Sequence, residues 1–73
     1  MNTGNTISNR AKSRRIELGL TQAEVAELAG ITQQSYQQLE AGKTKKPRNL
    51  LEISSALKCT AQWLMYGKAK LSA

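Results

Sequence analysis

The sequence contains no histidine, no phenylalanine and a single cysteine, Cys59. Without histidine, neither a Ser/His/Asp triad nor a Cys/His dyad can be assembled. A lone thiol forms no zinc cluster and no internal disulfide, which fits a reducing compartment, and Cys59 is best interpreted as a small, half-buried hydrophobic residue. No pair of carboxylates is placed to converge. The chain is therefore not expected to be an enzyme, and no catalytic residue, metal ion, cofactor or small-molecule ligand is predicted.

Acidic residues and long apolar runs are also scarce. Five Asp/Glu oppose eleven Lys/Arg, which gives a net charge of +6. No signal peptide and no apolar run of about 18 residues is present, so we expect a cytoplasmic chain that does not span a membrane. This charge favours nucleic acid as a partner, ahead of an anionic membrane surface or a merely soluble basic domain. The first predicted helix lacks the bulky apolar face that a membrane-surface helix requires.

The pattern of the chain predicts an all-α, compact five-helix domain. No run of alternating β-branched residues indicates a strand, and 73 residues suit a single domain, 1–73, with an ordered core of about 6–67. Glycines and capping threonines divide the chain into predicted helices over about 6–18, 22–29, 33–41, 49–58 and 61–66. The apolar positions at helical spacing predict a core of Ile7, Ala11, Leu18, Val25, Ala26, Ala29, Tyr36, Leu39, Leu50, Ile53, Leu57, Trp63 and Leu64.

The third predicted helix contains four glutamines and no Lys or Arg within the stretch TQQSYQQLE, residues 32–40. At about 100° per residue the glutamines share one arc, and Tyr36 and Leu39 lie on the opposite side. A glutamine amide presents a donor beside an acceptor, which matches the N6 and N7 atoms of adenine in the DNA major groove. Glutamine is also a good helix former on solvated faces, and for an isolated helix that is the better interpretation.

The residues before this helix favour the base-reading interpretation over a solvated face. Residues 22–41 can form two short helices around a turn glycine, Gly30, with the small Ala26 where the helices would cross. Apolar residues stand at the positions that would join the two helices. These are the requirements of a helix-turn-helix, whose second helix enters the major groove.

The segments RAKSRRIELGLTQAE, TQQS, QLEAGKTKKPR, LEISSAL and WLMYG resemble the Cro and repressor DNA-binding domains of lambdoid phages, within the XRE-type helix-turn-helix group. The resemblance covers Ile7 to Gly67, and the segments look most like those of the phage 434 proteins. It implies three base-reading residues, namely Gln33, Gln34 and Gln38. It implies backbone-contacting or supporting roles for Gln22, Thr32, Ser35, Lys45, Lys46, Arg48 and Arg15. It further implies a structural ion pair between Arg15 and Glu40, and dimer contacts at Asn49, Ala61 and Gln62.

Three positions depart from the family pattern. Ala41 replaces a polar residue, so one phosphate hydrogen bond is expected to be missing. Tyr36 and Gln37 also differ from the repressor's residues, so the operator need not be the same.

The resulting expectation is a transcriptional regulator, a repressor of prophage or Cro type, that binds a palindromic DNA operator as a dimer. No large apolar surface is evident at the expected dimer contact, which predicts a monomer at low concentration. The end of the chain soon after Gly67 favours a whole Cro-like protein, although a truncated repressor would have the same sequence. Two alternatives remain: an antitoxin or other interaction protein that uses an XRE domain, and a nonspecific DNA binder.

Overall fold

The computed structural model describes residues 6–68, and within them it contains five helices and no strand. The helices are α1 (Ile7–Glu17), α2 (Gln22–Ala29), α3 (Gln33–Glu40), α4 (Leu50–Ala56) and α5 (Ala61–Tyr66). The predicted all-α, five-helix architecture is confirmed. The predicted bounds of α2 and α5 agree with the structure at both ends.

Threonine side chains begin four of these helices. Thr6, Thr21, Thr32 and Thr60 are extended N-cap residues, and each accepts a hydrogen bond from the backbone N–H three residues later. At α2 the cap is reciprocal, because the Glu24 carboxylate accepts from the Thr21 backbone N–H at 2.8 Å. The predicted capping box is therefore present, and it satisfies two otherwise unpaired donors of the first turn.

Helix ends account for the errors in the predicted bounds. Thr6, Leu18 and Ala41 are cap residues rather than helical ones. The prediction of a fourth helix over 49–58 was wrong at both ends, because Asn49 is the N-cap and α4 stops at Ala56. Lys58, just past the end of α4, has a φ of 53°, a left-handed conformation that is uncommon for an L-residue.

The core is aliphatic, with one buried tyrosine. Its members are Ile7, Ala11, Val25, Ala26, Ala29, Tyr36, Leu39, Ile53, Ala56, Leu57 and Leu64. Leu50 and Trp63 are only partly buried and pack against this cluster. Leu18 was wrongly assigned to the core, because it lies at the C-cap of α1, where the chain turns away and leaves its side chain half-buried. The core prediction also missed Ala56 and two buried polar side chains, Arg10 and Ser54.

The packing of the helices leaves one side of α3 exposed. Helix α2 packs on both α3 and α4, and α1 packs on α3 and α5. Gly30, with a φ of 72°, provides the left-handed turn between α2 and α3. Ala26 is buried in α2, which permits the close crossing expected of a helix-turn-helix. Helix α3 is therefore supported from two sides, and its remaining side faces solvent.

Candidate nucleic-acid interface

Helix α3 is sharply two-sided. Tyr36 and Leu39 are fully buried, at 0% and 1% exposure. The four glutamines of the helix, Gln33, Gln34, Gln37 and Gln38, are all exposed. The amides thus project outward from a helix that the two apolar side chains hold against the core.

The N-terminus of α3 is closed by its own hydroxyl groups. Thr32 Oγ1 accepts from the Ser35 backbone N–H at 3.1 Å and donates to Ser35 Oγ at 2.9 Å. Both residues are exposed. They lie at the turn that presents α3, beside the glutamines that follow them.

Among the surface grooves that border α3, two meet along its exposed face. The first groove lies against α1 and the start of α2, and its lining includes Lys12, Gln22, Gln33, Gln37 and Ala41. The second groove lies on the other side of α3. It is lined by Gln34, Gln37, Gln38, Ala41 and Lys43.

Each groove therefore combines glutamine amides with one lysine. Lys12, Lys43 and Gln37 are absent from the predicted site residues. Lys12 and Lys43 belong to the two basic clusters of the sequence, one on the first helix and one after the third, and Gln37 shares the arc of the four glutamines. The resemblance, however, implied a role for none of the three.

A nearly buried ion pair joins α1 to the end of α3. Arg15 Nε lies 2.6 Å from Glu40 Oε2, and Arg15 Nη2 lies 3.1 Å from Glu40 Oε1. The two side chains are 15% and 4% exposed. Arg15 Nη1 also donates to the Leu20 carbonyl at 3.0 Å. The structure thus brings together the two residues that the resemblance paired, and it uses the Arg15 guanidinium inside the protein.

Gln22 connects the same ion pair to α2. Its Nε2 atom donates to Glu40 Oε1 at 3.0 Å, so the amide at the start of α2 is held by the last residue of α3. Burial raises the pKa of Glu40, but hydrogen bonds to its carboxylate, including those from Arg15 and Gln22, outweigh this effect and bring the pKa below its ordinary value. The hydrogen bond to Glu40 correspondingly raises the pKa of Arg15. Both groups are therefore charged across the physiological range.

Tyr36 places a hydroxyl group beside this pair. The side chain is fully buried, and its hydroxyl finds no hydrogen-bond partner of good geometry within residues 6–68. Burial raises the pKa of Tyr36, with the nearby Glu40 charge acting in the same direction. The tyrosine therefore stays neutral.

The other arginines of α1 cap helix ends instead of facing a partner. Arg10 is 5% exposed and donates to the carbonyls of Leu64 and Met65 at the end of α5, at 2.9 and 2.7 Å. Arg14 donates to the carbonyls of Leu57 and Lys58 at the end of α4, at 2.9 and 3.0 Å. Cations at helix C-termini complement the helix dipole. Arg10 and Arg14 therefore stabilise helix ends within the protein.

The remaining basic residues lie in the segment between α3 and α4. Lys45, Lys46 and Arg48 are all exposed there. Of the residues expected at a dimer contact, Asn49 and Gln62 are exposed and Ala61 is partly exposed. These positions belong to the starts of α4 and α5, two helices that pack together.

A sequence profile of the helix-turn-helix family matches residues 12–64, which include α2, the turn at Gly30 and α3. The chain belongs to the helix-turn-helix family. The predicted relationship to XRE-type regulators is confirmed, and the family is one of DNA-binding regulators rather than of enzymes.

Curated relatives of this helix-turn-helix chain include regulators of mobile elements. It is 36% identical over 66 residues to the HTH-type transcriptional regulators for conjugative elements R391 of Providencia rettgeri and SXT of Vibrio cholerae, an alignment that covers 90% of the chain. It is also 36% identical over 59 residues, 81% of its length, to the regulator PrtR of Pseudomonas aeruginosa. The chain spans about a third of the first two relatives, 31%, and 23% of PrtR.

Solved structures share the helix-turn-helix fold over nearly their whole length. The P22 c2 repressor in complex with a synthetic operator superposes with a TM-score of 0.81 at 29% identity, covering 88% of this chain and 98% of that one. The N-terminal DNA-binding domain of SinR from Bacillus subtilis gives 0.79 at 27% identity, covering 88% and 96%. The predicted lambda-repressor-like fold is thereby confirmed. Separately, no helix within residues 6–68 has the length and apolar character needed to cross a bilayer.

Proposed function

We propose that this chain is the DNA-binding part of a transcriptional repressor of prophage or Cro type, which reads an operator with the exposed face of α3. The observation that carries the proposal is the row of four exposed, neutral amides on a helix whose opposite face is buried. Amides discriminate bases by hydrogen bonding, whereas a row of lysines would bind phosphates of any sequence. Gln33, Gln34 and Gln38 are the base-reading residues carried over from the family.

The charges around α3 support a division between glutamines that contact bases and cations that contact phosphates. Once Arg10, Arg14 and Arg15 are assigned to internal contacts, the cations left near α3 are Lys12, Lys43, Lys45, Lys46 and Arg48. If these five side chains each neutralise one phosphate, the logarithm of the binding constant falls with the logarithm of salt with a slope of about −4 to −5 per protomer. Arg15 then supports the interface only through Glu40, and Thr32, Ser35 and Gln22 contact or position the sugar-phosphate backbone.

The proposed assembly is a homodimer, at least on DNA. A single domain of this size reads few base pairs, and two-fold related recognition helices reach successive major-groove turns about 34 Å apart. Asn49, Ala61 and Gln62 are available at the surface for the subunit contact. The operator is accordingly a palindrome, and repression follows from its occupation in the cytoplasm.

The proposal is tested by selection from a randomised duplex pool at near-physiological salt, followed by sequencing. The expected result is an enriched palindrome whose half-sites are about one helical turn apart, with complexes of two protomers per duplex in analytical ultracentrifugation. Binding without enrichment would make the chain a nonspecific DNA binder. A chain that binds no duplex would have to act through another partner, such as a protein.

A further inference from the structure

The family resemblance assigns base-reading roles to three glutamines of α3 and leaves Gln37 without one. The two grooves along α3 show why this position matters. Gln37 and Ala41 are the residues that line both of them. The Ala41 methyl group is too short to extend past its neighbours, so Gln37 forms the ridge between the grooves.

The side chain of Gln37 is also unengaged. Within residues 6–68 its amide makes no hydrogen bond, in contrast to the amide of Gln22, which Glu40 Oε1 holds at 3.0 Å. Gln37 is exposed. Its donor and acceptor are thus available to a ligand without breaking any hydrogen bond among residues 6–68.

Cations stand on both sides of this ridge. Lys12 lines the first groove and Lys43 lines the second. The major groove is about 12 Å wide and is bordered by a phosphate strand on each side. When Lys12 and Lys43 each face one strand, the residue between them faces the floor of the groove, where the base edges lie.

We infer that Gln37 is a fourth base-reading residue, which hydrogen-bonds the major-groove edge of an adenine in each half-site. This inference rests on the proposed function. A carboxamide is suited to this base because its NH₂ group donates to N7 while its oxygen accepts from the N6 amino group. A specificity determinant at position 37 distinguishes this chain from family members with another residue there.

The test applies the same randomised-pool selection to wild type, Gln37→Ala and Gln37→Glu, with Gln33→Ala for comparison. Ser55→Ala, at an exposed position of α4, controls for general effects of substitution. Gln37→Ala is expected to lose roughly 5- to 150-fold of discrimination at one base pair per half-site, the range of a good bidentate contact. Gln33→Ala should lose preference at a different base pair. Gln37→Glu can only accept, so its preference at the affected position should change from adenine to cytosine.

Equal weakening on every sequence, or an unchanged motif with Gln37→Ala, would overturn the inference while leaving the proposed function intact. If the wild type itself enriches no motif, the proposed function fails and the role of Gln37 fails with it. Thermal unfolding of each variant shows whether a loss of binding is a loss of folding. A change of preference from adenine to cytosine with Gln37→Glu cannot arise from destabilisation.

Discussion

Replacement of Glu40 by leucine should remove a large part of the stability of this domain. The substitution leaves Arg15 with one carbonyl partner, at Leu20, in a site where its side chain is only 15% exposed. Removing one member of a buried ion pair costs about 3–5 kcal/mol, because the other charge stays desolvated. The lower value is expected here, since the Leu20 carbonyl and partial exposure compensate in part. A domain of 73 residues has a total stability of only about 4–11 kcal/mol.

The measurement is a double-mutant cycle in urea, made with Arg15→Met, Glu40→Leu and the combined variant. Each single substitution should cost about 3 kcal/mol, which lowers the midpoint of thermal unfolding by roughly 12–24 °C in a domain of this size. The double variant should be at least about 2 kcal/mol more stable than either single one, because no uncompensated charge remains.

An ion pair whose carboxylate is half-exposed provides the control. Glu17 pairs with Arg14 at 3.1 Å, and the Glu17 side chain is 50% exposed. Glu17→Leu should therefore change stability by no more than about 1 kcal/mol. The reasoning is refuted if Glu40→Leu costs as little as this control, or if the costs of the two single substitutions simply add in the double variant.

Three further outcomes follow from the same contacts. The folded-state pKa of Glu40 is lowered, so its contribution is complete above the unfolded pKa of about 4.3 and is lost as pH falls through the folded value; urea titrations should show this acid dependence, and Glu40→Leu should flatten it. Lys46→Ala should weaken binding to all DNA alike and reduce the salt slope by about 1, whereas Gln33→Ala should cost about 1–3 kcal/mol on the selected operator with the slope unchanged; fluorescence anisotropy over a salt series separates them. Arg14→Ala should lower the unfolding free energy by about 1.5–3 kcal/mol and leave the DNA salt slope unchanged. Lys12→Ala should instead leave the unfolding free energy unchanged and reduce the DNA salt slope.

The sequence was most informative where structure depends on neighbouring residues. The N-caps at Thr21, Thr32 and Thr60 involve partners three residues away, so α2, α3 and α5 could be placed to within a residue. The two-sided character of α3 follows from the helical period alone, and Tyr36 and Leu39 are buried as that period predicts. Contacts of this kind join residues that are close together in the sequence, so a short segment is enough to predict them.

The internal roles of Arg10 and Arg14 depend on contacts between distant parts of the chain. Arg10 lies 54 positions before Leu64, whose carbonyl it caps, and Arg14 lies 43 before Leu57. A helix pattern shows an arginine on a basic face, but it does not show which carbonyls of another helix that side chain reaches. Arg10 and Arg14 are cations whose contacts belong to the fold itself. The ion pair of Arg15 was expected only because the resemblance implied it.

The position of Glu40 explains how a helix of eight residues can be held firmly enough for the proposed base-reading role. An isolated helix shorter than about 12–15 residues is marginal in water, so the orientation of α3 must come from its contacts with the rest of the protein. Tyr36 and Leu39 supply the apolar part of that support. Glu40 fixes the far end, because one carboxylate holds Arg15 of α1 and Gln22 of α2 together.

Glutamine side chains are flexible, so discrimination of bases by them requires a helix that is itself held in place. Ordering a glutamine side chain costs up to about 1.5–2 kcal/mol, a large share of the roughly 1–3 kcal/mol that one base contact contributes to discrimination. Motion of the helix itself would remove the rest of the free energy that distinguishes one base from another. Substitutions at Glu40 that leave the domain folded should therefore weaken discrimination at several base pairs at once, whereas substitutions at Gln33 or Gln37 should each affect one. Comparison of the selected motifs would separate support of the helix from reading by its side chains.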